Sequence, residues 1–398
     1  MEGKVAHTDV TVVGSGVFGV WTALLAQRSG FSVRLVDQYG PANPLSSSTG
    51  ESRITRMAYA ADEIYTRLAA KSLILWKELF DLAGVRFCFQ QTGALWIAAA
   101  EEPGLAETLA VFDRVGITYE LLGSDELRKR YSHWSLPERS RAIFEPDSGA
   151  LLAERSVEGV MKTALKEGVV FESAVVHPVE TGSEHLGFIN TTNGRRLHSD
   201  VFIFACGSWL PKLFPRELEV IRPTRQELFF FEAPQSAAAF DPARMPVWID
   251  QTDERLPYGF PNIDGAGIKV AFHRSGPSFD PDTGNRSVTD SQIAEAADYL
   301  RSRFPSLPIA LKATRVCHYE STPNADLLAD RHPAFDNVWL IGGGSGHGFK
   351  HAPGIAESLL QAVGRGQQDE PRFTLAAKKA GRSEVNVFTA PSTRRYQL

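Results

Sequence analysis

Cysteine is scarce in this sequence of 398 residues: Cys88, Cys206 and Cys317 are its three. They are too few and too scattered for a disulfide framework or a zinc site, and a reducing compartment is the simpler inference. No apolar run approaches the roughly 20 residues that a membrane-spanning helix needs. The opening stretch MEGKVAHTDV has a lysine but no apolar core, so no secretory signal fits. Nor does one sign of charge dominate. The formal net charge is −5 with acids and bases interspersed, and no basic stripe invites nucleic acid or an anionic membrane. Internal repeats and low-complexity tracts are missing too. These absences point to a soluble, cytoplasmic protein. With 43% hydrophobic residues, the chain can bury one large or two moderate cores at about 150 residues per domain.

What is present is organised around residues 8–37, TDVTVVGSGVFGVWTALLAQRSGFSVRLVD. A β-branched apolar run, 10–13, leads into Gly14-Ser15-Gly16-Val17-Phe18-Gly19. A stretch of helical composition follows, then a second apolar run that ends on Asp37. Strand, glycine turn, helix, strand and terminal acid form the context in which a G-x-G-x-x-G match becomes specific. Gly14 permits the tight turn, Gly16 lets backbone N–H groups approach a pyrophosphate, and Gly19 allows close helix-on-strand packing. The helix N-terminus offers unpaired donors and partial positive charge, and the Asp37 carboxylate can accept from both ribose hydroxyls. This is an ADP-binding unit. The acid disfavours NADP and leaves FAD and NAD open.

Residues 38–60 form a loop dense in Gly, Pro and Ser that carries Arg53 and Arg56, and an amphipathic helix follows. Such a polar loop suits substrate contacts, although loop arginines are more often simply solvated. CFQQTGALWIAA reads as a β-hairpin turning at Thr92-Gly93, and 101–131 as two short helices. A helix at 157–167, a hairpin turn at 190–194 and a buried strand at 200–205 come next. Short strand-like runs at 224–231, 246–250, 257–261 and 267–273 have no helices between them, which implies an antiparallel sheet. A helix at 291–304, strands at 313–320 and 338–341, a glycine turn at 342–348 and a helix at 353–363 complete the order. The glycine turn lacks the G-x-G-x-x-G spacing. There is thus no second dinucleotide fingerprint, which favours a flavin reduced directly by substrate. Residues beyond 372 read as a polar, loosely attached tail.

On these segments the chain resembles the monomeric sarcosine oxidase and N-methyltryptophan oxidase family, FAD-dependent amine oxidases of the D-amino-acid-oxidase fold superfamily. The likeness rests on VVGSGVFG with LVD, SRITRMAY, PYGFP followed by GIKVAFH, CHYESTPNADLLAD, and GGGSGHGFK, in matching order over nearly the whole chain. It implies an α/β + α+β architecture, a Rossmann-type FAD-binding domain interleaved with an antiparallel-sheet substrate domain. The FAD-binding domain is expected at 1–86, 150–222 and 322–380, the substrate domain at 87–149 and 223–321, and a tail at 381–398.

The resemblance also implies site residues. Cys317 falls where the family's cysteine bonds to FAD, a reaction that nearby positive charge would assist; Arg315 and His318 are adjacent in sequence. Lys269 matches a lysine over flavin N5 that promotes reaction with oxygen, since a fixed ammonium stabilises the anion where it develops. Arg56 and Lys350 match a clamp for the substrate carboxylate, and Arg53 lies near the ring. Tyr258 and His273 line the substrate pocket, Tyr319 is a further candidate, and Trp248 and Ile249 are expected to set side-chain specificity. Gly344, Gly346, His347 and Gly348, with Val17 and Lys350, complete the expected cofactor contacts, with backbone donors of 346–348 near the pyrimidine end. Thr49 stands where the family commonly has histidine. No metal is required.

The activity so implied is oxidation of a secondary amine such as an N-alkyl amino acid, by transfer of a hydride equivalent to flavin N5. O2 is then reduced to hydrogen peroxide, the imine hydrolyses, and the enzyme works as a monomer. Two other readings remain open: an amine dehydrogenase that uses another acceptor, and a flavin-containing accessory module without free amino acid turnover.

Overall fold

A computed structural model describes residues 7–180, 182–233 and 238–380. Its first sheet runs Leu328–Arg331, Val338–Gly342, Ser199–Phe204, Thr8–Val13, Val33–Asp37, Val170–Ser173, parallel except for the antiparallel edge strand Leu328–Arg331. The central strands are almost wholly buried because helices cover the sheet, and near-continuous apolar runs such as TDVTVV are what such burial demands. Helix Val17–Arg28 packs against Ala153–Lys166 and Ala352–Arg365. This places the Gly14 turn at the carboxyl ends of three strands, where open α/β sheets bind their ligands.

The second sheet has eight strands in the order Leu311–Ser321, Arg222–Phe231, Ile268–Phe272, Pro257–Phe260, Val247–Asp250, Ala94–Ala99, Ser140–Glu145, Glu120–Leu122. It is not purely antiparallel, as the sequence implies, because Val247–Asp250 pairs in parallel with Ala94–Ala99. The expected hairpin at 87–98 does not form either. Phe89–Gln90 joins Gly149–Leu152 and Ser52–Thr55 in a small third sheet, whereas Ala94–Ala99 pairs with Ser140–Glu145. The cause is Gly93, at φ +73°, where a Cβ would stand 2.3 Å from the Phe144 ring. There the chain leaves one sheet for another instead of doubling back. Between the two expected helices of 101–131, found at Pro103–Val115 and Ser124–Arg130, lies the edge strand Glu120–Leu122.

Arg53 sits on strand Ser52–Thr55, not on a loop, and Arg56 follows at once. The stretch after Arg372 is also anchored as far as residue 380. Arg372 pairs with Asp62 (2.6 Å) and Asp326, Leu375 lies in the core, and Lys378 donates to the Arg372 carbonyl. The tail expected at 381–398 lies outside the described residues. Among the described residues no helix is long and apolar enough to cross a membrane.

Candidate active site

One continuous cavity of about 390 Å3 runs from the glycine turn of the parallel sheet to the inner face of the eight-stranded sheet. At its first end Gly14, Gly16, Val17 and Asp37 line the wall. Gly14 has φ +102°, and a Cβ there would lie 2.5 Å from the Ala205 carbonyl oxygen, so only glycine fits. A Cβ on Gly19 would lie 1.7 Å from the Gly14 carbonyl oxygen. Asp37 is more tightly engaged than the sequence suggests. It accepts from the Ser15 N–H (2.7 Å) through one oxygen and from the Tyr39 and Gly40 N–H groups (both 2.7 Å) through the other. A carboxylate has about four acceptor sites, and Asp37 still faces the cavity. The Val17 N–H is capped by Ser48 Oγ at 3.0 Å.

At the far end Cys317 faces the cavity from strand Leu311–Ser321. Its cationic neighbour is Arg53, whose guanidinium lies 3.8 Å from Sγ and is held by the carbonyls of Ser47 (2.9 Å) and Thr49 (2.8 Å). Neither sequence neighbour plays that part. Arg315 is exposed and paired with Glu51. His318 sits between Ser208 Oγ (2.6 Å) and the Leu45 carbonyl (2.8 Å), and burial lowers it to about 4, leaving a neutral ring.

Lys269 is 3% exposed. Its Nζ donates to the Ser52 carbonyl (2.9 Å) and lies 4.7 Å from the Phe260 ring centroid. Burial, reinforced by Arg53, lowers it to about 7. His273, just past the end of the same strand, also lines the cavity; burial, then Arg56 and Lys350, lowers it to about 3, so the imidazole is neutral. Tyr258 and Tyr319 stand with their hydroxyls 3.5 Å apart, both raised by burial and therefore protonated.

Arg56 is buried between the rings of Tyr59 and Trp96, at 4.2 and 5.1 Å, and donates to the Ala58 carbonyl. Lys350 donates to the His347 carbonyl at 3.0 Å, and burial followed by Arg56 holds it well below the ordinary lysine range. Arg53, Arg56, Lys269 and Lys350 thus crowd four basic side chains into one apolar-walled chamber, a setting for an anionic ligand.

Trp248 does not belong to this chamber. On strand Val247–Asp250 it points to the opposite face from Ile249, fully buried among Trp134, Phe304 and Tyr299, with its indole N–H donating to Tyr299 Oη at 3.1 Å. Strand alternation puts only one of two successive side chains on a given face, and Ile249 is the one that lines the cavity. The glycine turn brings Gly344, Gly346, His347 and Gly348 to the wall, but the N–H groups of His347 and Gly348 bond back to the Gly344 carbonyl (2.9 and 2.8 Å). They close the turn instead of reaching outward.

Sequence reasoning missed Trp96, Glu145, Gln251 and Glu320. Trp96 and Gln251 line the chamber and hydrogen-bond to each other. Glu145 lies beneath Arg56, accepts from the N–H groups of Met57 (2.7 Å) and Ala58 (3.0 Å), and is raised by burial. An acid ending the apolar run RAIFE was the available signal.

An extended dinucleotide fits this cavity. Glycines admit no side chain where backbone must approach it, and the buried Ser15 Oγ and Glu320 Oε2 have no partner among the described residues. Fold and site together define an FAD-dependent oxidoreductase. The FAD dependent oxidoreductase (DAO) family model matches residues 9–362, and the chain belongs to that family. Within it, the chain is 32% identical over 377 residues to monomeric sarcosine oxidase of Bacillus sp. (strain B-0618), covering 93% of this chain and 96% of that one. N-methyl-L-tryptophan oxidase of Yersinia pestis (strain Pestoides F) is 27% identical over 356 residues, 88% and 93% of the two chains. The fold is shared with L-proline dehydrogenase from P. horikoshii at 18% identity and a TM-score of 0.82, covering 94% and 99% of the chains. It is also shared with the fructosyl amine oxidoreductase Amadoriase I of Aspergillus fumigatus, at 19% identity and TM-score 0.75 over 97% and 94%.

Proposed function

We propose that this chain oxidises secondary amines that carry a carboxylate, N-alkyl amino acids, with bound FAD. The observation that carries this reading is the chamber itself, where Arg56 and Lys350 lie beside neutral His273 and protonated Tyr258, next to Cys317 and Lys269. When bound, FAD accepts the two electrons of amine oxidation and delivers them to O2, giving hydrogen peroxide.

The residues divide the work. Gly14, Gly16 and Asp37 hold the ADP half at the helix N-terminus. Cys317 is the point of covalent attachment, and the Arg53 guanidinium lies 3.8 Å from its sulfur, a cation beside the attacking group. Arg56 and Lys350 bind the substrate carboxylate, and Tyr258, Tyr319 and Ile249 shape the space for the rest of the substrate. The guanidinium groups of Arg53 and Arg56 lower the pKa of a bound amine, so the substrate enters its reaction neutral, with the lone pair that a developing iminium requires. Lys269 supplies positive charge where oxygen is reduced. The parallel-sheet segments serve the nucleotide and the eight-stranded sheet serves the substrate. By likeness to the monomeric relatives the enzyme acts as a monomer, and its three unbonded cysteines accord with the cytoplasm.

The test is anaerobic. Sarcosine, N-methyltryptophan, L-proline and a fructosyl amino acid are mixed in turn with the yellow protein. Bleaching near the flavin absorbance maximum, followed by stoichiometric peroxide on admitting air, is the expected result with at least one of them. A flavin that none of these amines bleaches sinks the proposal, and bleaching without peroxide moves it to an acceptor other than oxygen.

A further inference from the structure

Glu320 follows Cys317 by three residues at the inner end of strand Leu311–Ser321, lines the cavity and is only 6% exposed. One carboxyl oxygen, Oε1, is turned toward the glycine turn, where a Cβ on Gly344 would stand 3.1 Å from it, and the backbone N–H groups of Gly344 and Gly343 on that side favour the ionised form. Oε2 has no hydrogen-bond partner among the described residues. A carboxyl oxygen left unpaired under a protein surface is costly, and this one lies on the wall of the ligand cavity.

Its position along the cavity identifies what it meets. A Cβ on Gly207 would come within 3.7 Å of Oε2, and one on Gly342 within 3.2 Å. The carboxyl also acts electrostatically on Cys206, as does Asp37, and Cys206 follows the Ala205 whose carbonyl touches Gly14. The order along the cavity is therefore Asp37 and Gly14, then Cys206 and Glu320, then Cys317 and Lys269. In FAD, the segment between the pyrophosphate and the ring is the ribityl chain, a run of hydroxyls.

We propose that Glu320 is the anchor of the flavin's ribityl chain, hydrogen-bonded to it through Oε2. This rests on the flavin reading above. Burial raises the carboxyl to about 7, so near neutrality it carries a proton for part of the time. Because Oε1 is turned toward Gly344 and Oε2 has no partner among the described residues, Oε2 is the oxygen left to meet the ligand. A hydroxyl both donates and accepts, and so satisfies either form.

The test uses the full-length Cys317→Ser protein, in which FAD is exchangeable, with Glu320→Met and Glu320→Gln added separately. Met keeps the bulk without hydrogen bonding, whereas Gln keeps an acceptor for the glycines and a donor toward the cavity. Calorimetric titrations with FAD and with ADP compare the whole ligand with the half that does not reach Glu320. Expected for Glu320→Met is a loss of FAD affinity of roughly tenfold or more, with ADP affinity within about twofold of the parent and Gln restoring most of the loss. Unchanged FAD affinity, equal losses of FAD and ADP, or a Gln variant as weak as Met each overturns the assignment. If Met does not fold, as judged by ADP binding, Glu320→Ala takes its place. A parent protein that binds ADP but not FAD overturns the flavin reading itself.

Discussion

The ammonium of Lys269 donates to the backbone carbonyl of Ser52 at 2.9 Å, which joins the middle of the eight-stranded sheet to the strand that carries Arg53. The bond fixes where the charge sits, but not whether it is there. Burial and Arg53 lower Lys269 to about 7 from its ordinary 10.5, so the charge is full below that pH and lost above it. Protein reduced by substrate should therefore react with O2 more slowly as pH rises through about 7, as followed by stopped-flow recovery of flavin absorbance. Lys269→Met should slow that step on the order of 100-fold or more and flatten its pH profile.

Arg56 and Lys350 should be felt in the Michaelis constant. Each charge-assisted contact contributes about 1.5–3 kcal/mol, so Arg56→Met or Lys350→Met should raise KM for a carboxylate-bearing amine by roughly tenfold or more. A secondary amine of similar size without the carboxylate should show little change. Equal effects on the two substrates would mean that the pair shapes the chamber and does not bind the anion.

Acid precipitation tests the proposed bond at Cys317. Colour should stay with the polypeptide of the parent and pass into the supernatant with Cys317→Ser. Arg53→Met should slow the attachment, because it removes the cation 3.8 Å from the sulfur; the fraction of bound flavin in freshly made protein measures this.

Trp248 and Ile249 should separate stability from selectivity. Trp248→Ala empties a fully buried site and should cost about 3–5 kcal/mol, seen as a fall in Tm, while the ranking of substrates stays as it was. Ile249→Ala should alter that ranking, measured as kcat/KM ratios for amino acids with small and large side chains, at a smaller cost in Tm.

That contrast also shows how far the sequence could be read. The nucleotide unit of 8–37 was legible because its signals are local: an apolar strand, glycines at fixed spacing, an acid where the second strand ends. Cys317, Lys269, Arg56 and Lys350 came from a resemblance, and the structure lines one cavity with all four. What stayed hidden was set by contacts distant in sequence. Alternation says that Trp248 and Ile249 face opposite ways, but a central strand covered on both faces does not say which way the chamber lies. Arg53 and Arg56 read as loop cations because the strand that pairs with Ser52–Thr55, Gly149–Leu152, and the Trp96 ring beside Arg56 lie far along the chain. The hairpin at Gly93 failed for the same reason, since the partners of its two arms lie 41 to 62 residues on.

The strand order of the parallel sheet bears on how the protein is made. Thr8–Val13 finds one neighbour in Val33–Asp37 almost at once, yet its other neighbour is Ser199–Phe204, and beyond that lies Val338–Gly342. At about 5–20 residues per second, ribosomal synthesis separates the first of these strands from the last by roughly 15–65 s. The eight-stranded sheet waits almost as long for Leu311–Ser321. Neither half of the molecule can therefore be finished while the nascent chain is short. Capture of the dinucleotide becomes a late event in biogenesis, and a transcript cut before the codon for Leu311 yields two unfinished sheets' worth of sticky strands in place of one sound domain and one missing one.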